Sequence, residues 1–104
     1  MKTAALSIAL LAFVCSAANA ADAKAGQAGY EKSCKGCHGA AGTANPGIAK
    51  MFPTLPELSS AKVQGESDAD LKTVITTGKG KMKAVTTLTA SPDDVIAYVR
   101  TLKK

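Results

Sequence analysis

Cys34-Lys35-Gly36-Cys37-His38 places two thiols three positions apart and an imidazole directly after the second. This is the C-x-x-C-H spacing of covalent c-type haem attachment. The requirement is geometric. Two cysteines so spaced can add to the two vinyl groups on one porphyrin edge as thioethers, and the next residue can then offer a ring nitrogen to the iron from one face. Three other chemistries compete for the pattern. A thioredoxin-like redox pair needs a strand leading into the cysteines within a βαβ unit, and Ala-rich sequence of helical character precedes them instead. Structural zinc takes four Cys or His ligands, and His38 is the only histidine in the sequence. A Cys34–Cys37 disulfide would close a very short loop and stabilise little.

The chain upstream of this motif reads as an export signal. Met1-Lys2 is a short positive start, residues 4–18 are almost purely apolar, and Ala18-Asn19-Ala20 is a small-x-small cleavage pattern. Residues 1–20 are therefore expected to be a signal peptide, and residues 21–104 the domain. The apolar run is about 15 residues where a membrane span needs roughly 20, and no stop-transfer cluster follows it, so no stable membrane insertion is expected after cleavage. A lipid anchor through Cys15 is disfavoured by the bulky Val14 before it. Removing the leader takes Cys15 away and leaves Cys34 and Cys37 in a periplasmic or otherwise exported, thiol-oxidising space. It also takes Lys2 from the thirteen basic side chains, leaving twelve against eight acidic, a net charge of +4. That charge is modest and aromatics are scarce, which argues against nucleic-acid binding. At about 84 residues an apolar core alone supplies only a few kcal/mol, so a cofactor that fills the middle is expected.

The expected fold class is all-α, with three or more short helices around one haem and long loops. Asp22 can cap a helix running to Ser33, weakened by Gly26 and Gly29. Residues 36–61 are rich in Gly, Pro, Ser and Thr and read as a long loop, with Asn45-Pro46-Gly47, Pro53 and Pro56 as punctuation. Ser67-Asp68-Ala69-Asp70 is an N-cap followed by a carboxylate at N3; Leu71, Val74 and Ile75 share a face and Gly78 ends the segment, which predicts a helix over 68–77. Ser91-Pro92-Asp93-Asp94 opens a second such helix with Pro at N1, an apolar stripe of Val95, Tyr98, Val99 and Leu102, and Arg100, Lys103 and Lys104 at the negative end of its dipole. No strand signal, internal repeat or second domain stands out.

A sole histidine rules out bis-histidine ligation within one chain, which leaves methionine as the leading sixth ligand. Met51 and Met82 are the candidates. Met82 follows Gly78-Lys79-Gly80-Lys81, a glycine-rich loop able to approach a haem face closely, whereas Met51 suits a packing role.

The region from Ala21 onward resembles the bacterial class I cytochromes c over essentially its whole length: Cys34-Lys35-Gly36-Cys37-His38 early, Gly78-Lys79-Gly80-Lys81-Met82 late, and Val95-Ile96-Ala97-Tyr98-Val99-Arg100 in a final helix. The resemblance implies a one-electron carrier rather than an enzyme, with one haem c, thioethers at Cys34 and Cys37, and iron held by His38 and by Met82. It also implies that Gly26 and Tyr30 on the first helix lock against Val95 and Tyr98 on the last. Two departures stand out. Lys83 occupies the place after the axial methionine where the family often has proline. The carbonyl that supports the proximal histidine could come from Pro46, Pro53 or Pro56, and Pro46 is the expected one. By pattern, the expected wall positions are Leu55, Leu58, Leu71, Ile75, Val85 and Leu88. The chain is expected to be a monomer whose partners are acidic redox proteins, a dehydrogenase or quinol-oxidising complex on one side and an oxidase or reductase on the other; Lys35, Lys79, Lys81 and Lys83 either steer them or are a merely solvated set. The competing function is a haem sensor or weak peroxidase with a labile sixth ligand.

Overall fold

The computed structural model describes residues 21–104. The expected leader over residues 1–20, Cys15 included, lies outside the described residues. Six helices and one small hairpin follow in order: α1 (Ala23–Ser33), α2 (Lys35–His38), α3 (Pro46–Met51), α4 (Ala61–Gln64), α5 (Asp68–Thr77), β1 (Gly78–Lys79), β2 (Met82–Lys83) and α6 (Pro92–Thr101). The expected all-α class holds, as a mostly helical fold.

Side-chain caps set the helix starts. Asp22 accepts from the Lys24 and Ala25 amides, Ser67 from Asp70 and Ser91 from Asp94, each satisfying amide donors that the first turn of a helix leaves unpaired. The region read as one long loop contains α3 and ends as α4 begins. Asn45-Pro46-Gly47 is a helix start, not a turn: the Asn45 side chain accepts from the Ile48 amide at 3.0 Å and Pro46 stands at N1. The hairpin is a second departure from the strand-free expectation. Its strands pair antiparallel, Gly78 with Lys83 and Lys79 with Met82. Gly80 takes φ +57° while Lys81 stays at negative φ, which is the pattern of a type II′ turn and needs glycine first.

α1 and α6 cross against each other, and the crossing is set by Gly26. A Cβ there would overlap the Asp94 carbonyl and lie 2.9 Å from the Val95 amide nitrogen. Beside the crossing, the Asp22 amide donates to the Asp94 carboxylate at 2.8 Å, joining positions 72 residues apart. Tyr30, Ile75, Val95, Ile96 and Val99 form the core beneath. α4 is fastened to the far half of α6 by polar groups. Gln64 Nε2 donates to the carbonyls of Leu58 and Val99 at 2.8 and 2.9 Å. Arg100, beyond its place near a helix dipole, spreads its guanidinium over the Gln64 and Glu66 carbonyls and the Asp68 carboxylate.

The tail of α6 is tied back by Glu57. Its carboxylate accepts from the Lys104 ammonium and the Thr43 hydroxyl, both at 2.8 Å. These bonds, Lys104 first, hold its pKa down to about 2, from an ordinary 4.5. A depressed folded-state pKa adds stability above the unfolded value and loses it as pH falls toward the folded one. Glu57→Gln is therefore expected to melt below wild type at neutral pH, with the gap closing as pH falls from about 4.5 to about 2; a gap independent of pH in thermal melts would contradict this. Gly26→Ala should cost on the order of 3 kcal/mol or more, because backbone rather than a flexible side chain fills the space. A melting temperature matching wild type would show that the two helices can part without loss.

Candidate haem-binding site

The C-x-x-C-H motif continues the end of α1 as one tight helical turn. The Cys34 amide donates to the Tyr30 carbonyl at 2.8 Å, the His38 amide to the Cys34 carbonyl at 3.0 Å, and the Gly39 amide to the Lys35 carbonyl at 2.9 Å. In helical backbone, residues three apart share a face, so Cys34 and Cys37 stand together with His38 beside them. Both thiols are free, Cys34 half-buried and Cys37 exposed. Burial, with a smaller contribution from neighbouring Cys37, pushes the Cys34 thiol up. His38 is buried, at 8 % exposure, and burial pulls its pKa down, so the imidazole is neutral with a lone pair free for a metal.

These side chains face a cavity of about 480 Å³, within the roughly 300–1,000 Å³ of ligand and cofactor sites. Cys34, Cys37, His38 and Met82 all line it, with an apolar wall that includes Phe52, Leu55, Leu71 and Ile75. Met82 reaches it from β2, held by the hairpin and by the Val85 amide donating to the Ile75 carbonyl at 2.8 Å. Met51 is 65 % exposed at the end of α3 and does not line the cavity. Leu58 lines the wall as expected, whereas Val85 and Leu88 pack on the helical core instead.

The expected support of His38 by Pro46 is not found. Pro46 opens α3 and does not line the cavity. Of the three prolines considered, Pro56 alone lines it. His38 Nδ1 is buried without a hydrogen-bond partner among the described residues. Phe52, Val63 and Lys62 line the cavity without having been singled out in the sequence, and Val74, read there only as part of an apolar helix face, lines it too. For Phe52 a signal existed, since it is the one phenylalanine after the leader; Lys62 carries none.

The donor set fits a haem. Two free thiols on one face, a neutral buried imidazole whose Nδ1 lacks a partner, and a thioether meet at one apolar cavity. A bare ion fits less well: among the described residues no group of three or more His, Cys, Asp or Glu side chains converges.

Comparison with known proteins agrees. The family model described as cytochrome c oxidase, cbb3-type, subunit III matches residues 21–100. Among solved structures, the KustC0563 c-type cytochrome superposes with a TM-score of 0.59 at 26 % identity, covering 76 % of this chain and 98 % of that one. No curated protein matches the chain. The fold and cavity define a c-type cytochrome, and the chain belongs to this cytochrome c family as a monohaem class I member, whose cofactor is covalently bound haem c with its iron. Haem-based electron transfer is the activity of the family. Among the described residues no helix is long and apolar enough to cross a membrane.

Proposed function

We propose that this protein is an exported one-electron carrier in which Cys34 and Cys37 hold the haem edge, His38 ligates the iron from one face and Met82 from the other. The observation that carries the reading is the convergence of all four side chains on one cavity, to the exclusion of Met51. Haem supplies a one-electron couple at its iron. His38 and Met82 would hold the iron and leave no open position for a substrate, and the apolar wall of the cavity would keep water from the couple. Cys37 is exposed, so the attached edge meets solvent, where a partner can come close.

Export is supported by the leader pattern, and the family match opens at residue 21, where the domain is expected to begin. Charge supports an acidic partner. Lys79 and Lys81 are exposed and line the cavity, so they stand at its rim, joined there by Lys62; Lys35 and Lys83 are exposed beside the attachment and ligand residues. The family description names a subunit of a terminal oxidase, which supports an oxidase among the acceptors.

Met82→Ala is expected to abolish the far-red band that methionine ligation gives the oxidised protein and to let carbon monoxide bind the reduced one, while Met51→Ala changes neither. A band that survives Met82→Ala would remove Met82 from the iron, and carbon monoxide binding by the unmodified protein would favour the sensor or peroxidase reading. Oxidation by the anion hexacyanoferrate should slow as ionic strength rises, and Lys79→Glu with Lys81→Glu should lower the low-salt rate roughly tenfold or more. Equal salt dependence in both proteins would overturn the docking role of the rim.

A further inference from the structure

We propose that Tyr30 is a positioning residue for the axial imidazole, holding both ends of the Cys34–Gly39 turn and thereby fixing the orientation in which His38 faces the haem. The inference rests on the haem reading given above. Two hydrogen bonds carry it. The Tyr30 carbonyl accepts from the Cys34 amide at 2.8 Å, where the turn begins, and the Tyr30 hydroxyl donates to the Gly39 carbonyl at 2.6 Å, one residue past His38. A single residue thus spans the turn that carries both thiols and the imidazole. Inside that span the Cys37 and His38 amides donate to the Cys34 carbonyl at 3.2 and 3.0 Å, so little backbone freedom is left.

The clamp is itself rigid. Tyr30 is fully buried, and its ring meets that of Tyr98 at 5.1 Å between centroids with a 58° tilt. It sits one turn beyond Gly26, where α1 and α6 cross, so the helix pair sets the depth of the phenol. A residue serving only as core would need the ring alone. The hydroxyl is a polar group at a buried position, where a missing partner is costly, and the partner it has is the carbonyl next to His38.

His38 gives this clamp its purpose. Ligating histidines are usually oriented through a bond from the other ring nitrogen, and His38 Nδ1 makes none among the described residues. The backbone of its turn therefore bears directly on how the ring is held. The far end of that backbone is tied by the Tyr30 hydroxyl.

The test compares the haem-loaded Tyr30→Phe protein with Tyr98→Phe, which removes a hydroxyl from the same aromatic pair without touching the turn. Tyr30→Phe is expected to shift the reduction potential and to displace the hyperfine-shifted proton resonances of the His38 ring, with Tyr98→Phe matching wild type in both. A Tyr30→Phe protein that melts lower but keeps the wild-type potential and His38 resonances would overturn the proposal, since a purely structural hydroxyl predicts that result. A second measurement is independent of whether the variant folds. In the wild-type holoprotein the Tyr30 hydroxyl proton should exchange slowly with solvent and show a nuclear Overhauser contact to Gly39; a fast-exchanging proton would also overturn it. A wild-type protein that carries no haem would instead bring down the functional reading, and this proposal with it.

Discussion

Two helix backbones can approach as closely as α1 and α6 do only where one of them lacks a side chain. Gly26 meets that condition, with the Asp94 carbonyl occupying the space a Cβ would take. The consequence runs along α1. One turn later Tyr30 enters the core against Val95 and Tyr98, and one turn after that Cys34 starts the attachment motif. The position of the thiols and of His38 is thus inherited from a contact between the first and last helices. A widened crossing would move the proximal wall of the cavity and not merely loosen a surface.

The two faces of the cavity are built differently. On the proximal side a short helical turn, bonded at both ends, presents His38 neutral and shielded from water. Met82 belongs to a two-residue strand, supported by a tight turn at Gly80 and by the bond from Val85 to Ile75. His38 lies in helix tied to the main core, and Met82 on the hairpin that directly follows α5. Lys79 and Lys81, next to Met82 in sequence, are exposed at the cavity rim rather than packed in the interior.

Much of this was legible because the relevant signals are local and chemical. Asp22, Ser67 and Ser91 announce their helices through an oxygen able to accept from the first turn, and α1, α5 and α6 begin where those residues stand. The spacing of Cys34, Cys37 and His38 is likewise local. What escaped was too short for periodicity to speak. α3 and α4 complete fewer than two turns, and Asn-Pro-Gly serves a reverse turn and a helix start with the same chemistry. The strands of the hairpin are two residues each, too brief for an alternating pattern. That Lys62 lines the cavity and Pro46 does not is a fact of tertiary packing that no neighbouring residue encodes.

Covalent chemistry at Cys34 and Cys37 is what every other role assigned to the site presupposes. Peptide mass spectrometry of the protein recovered from the periplasm of a host able to mature c-type cytochromes tests it most directly. The peptide containing Cys34-Lys35-Gly36-Cys37-His38 should carry the mass of one haem and neither free thiol. The same peptide bearing two alkylatable thiols, or a disulfide, would contradict the account.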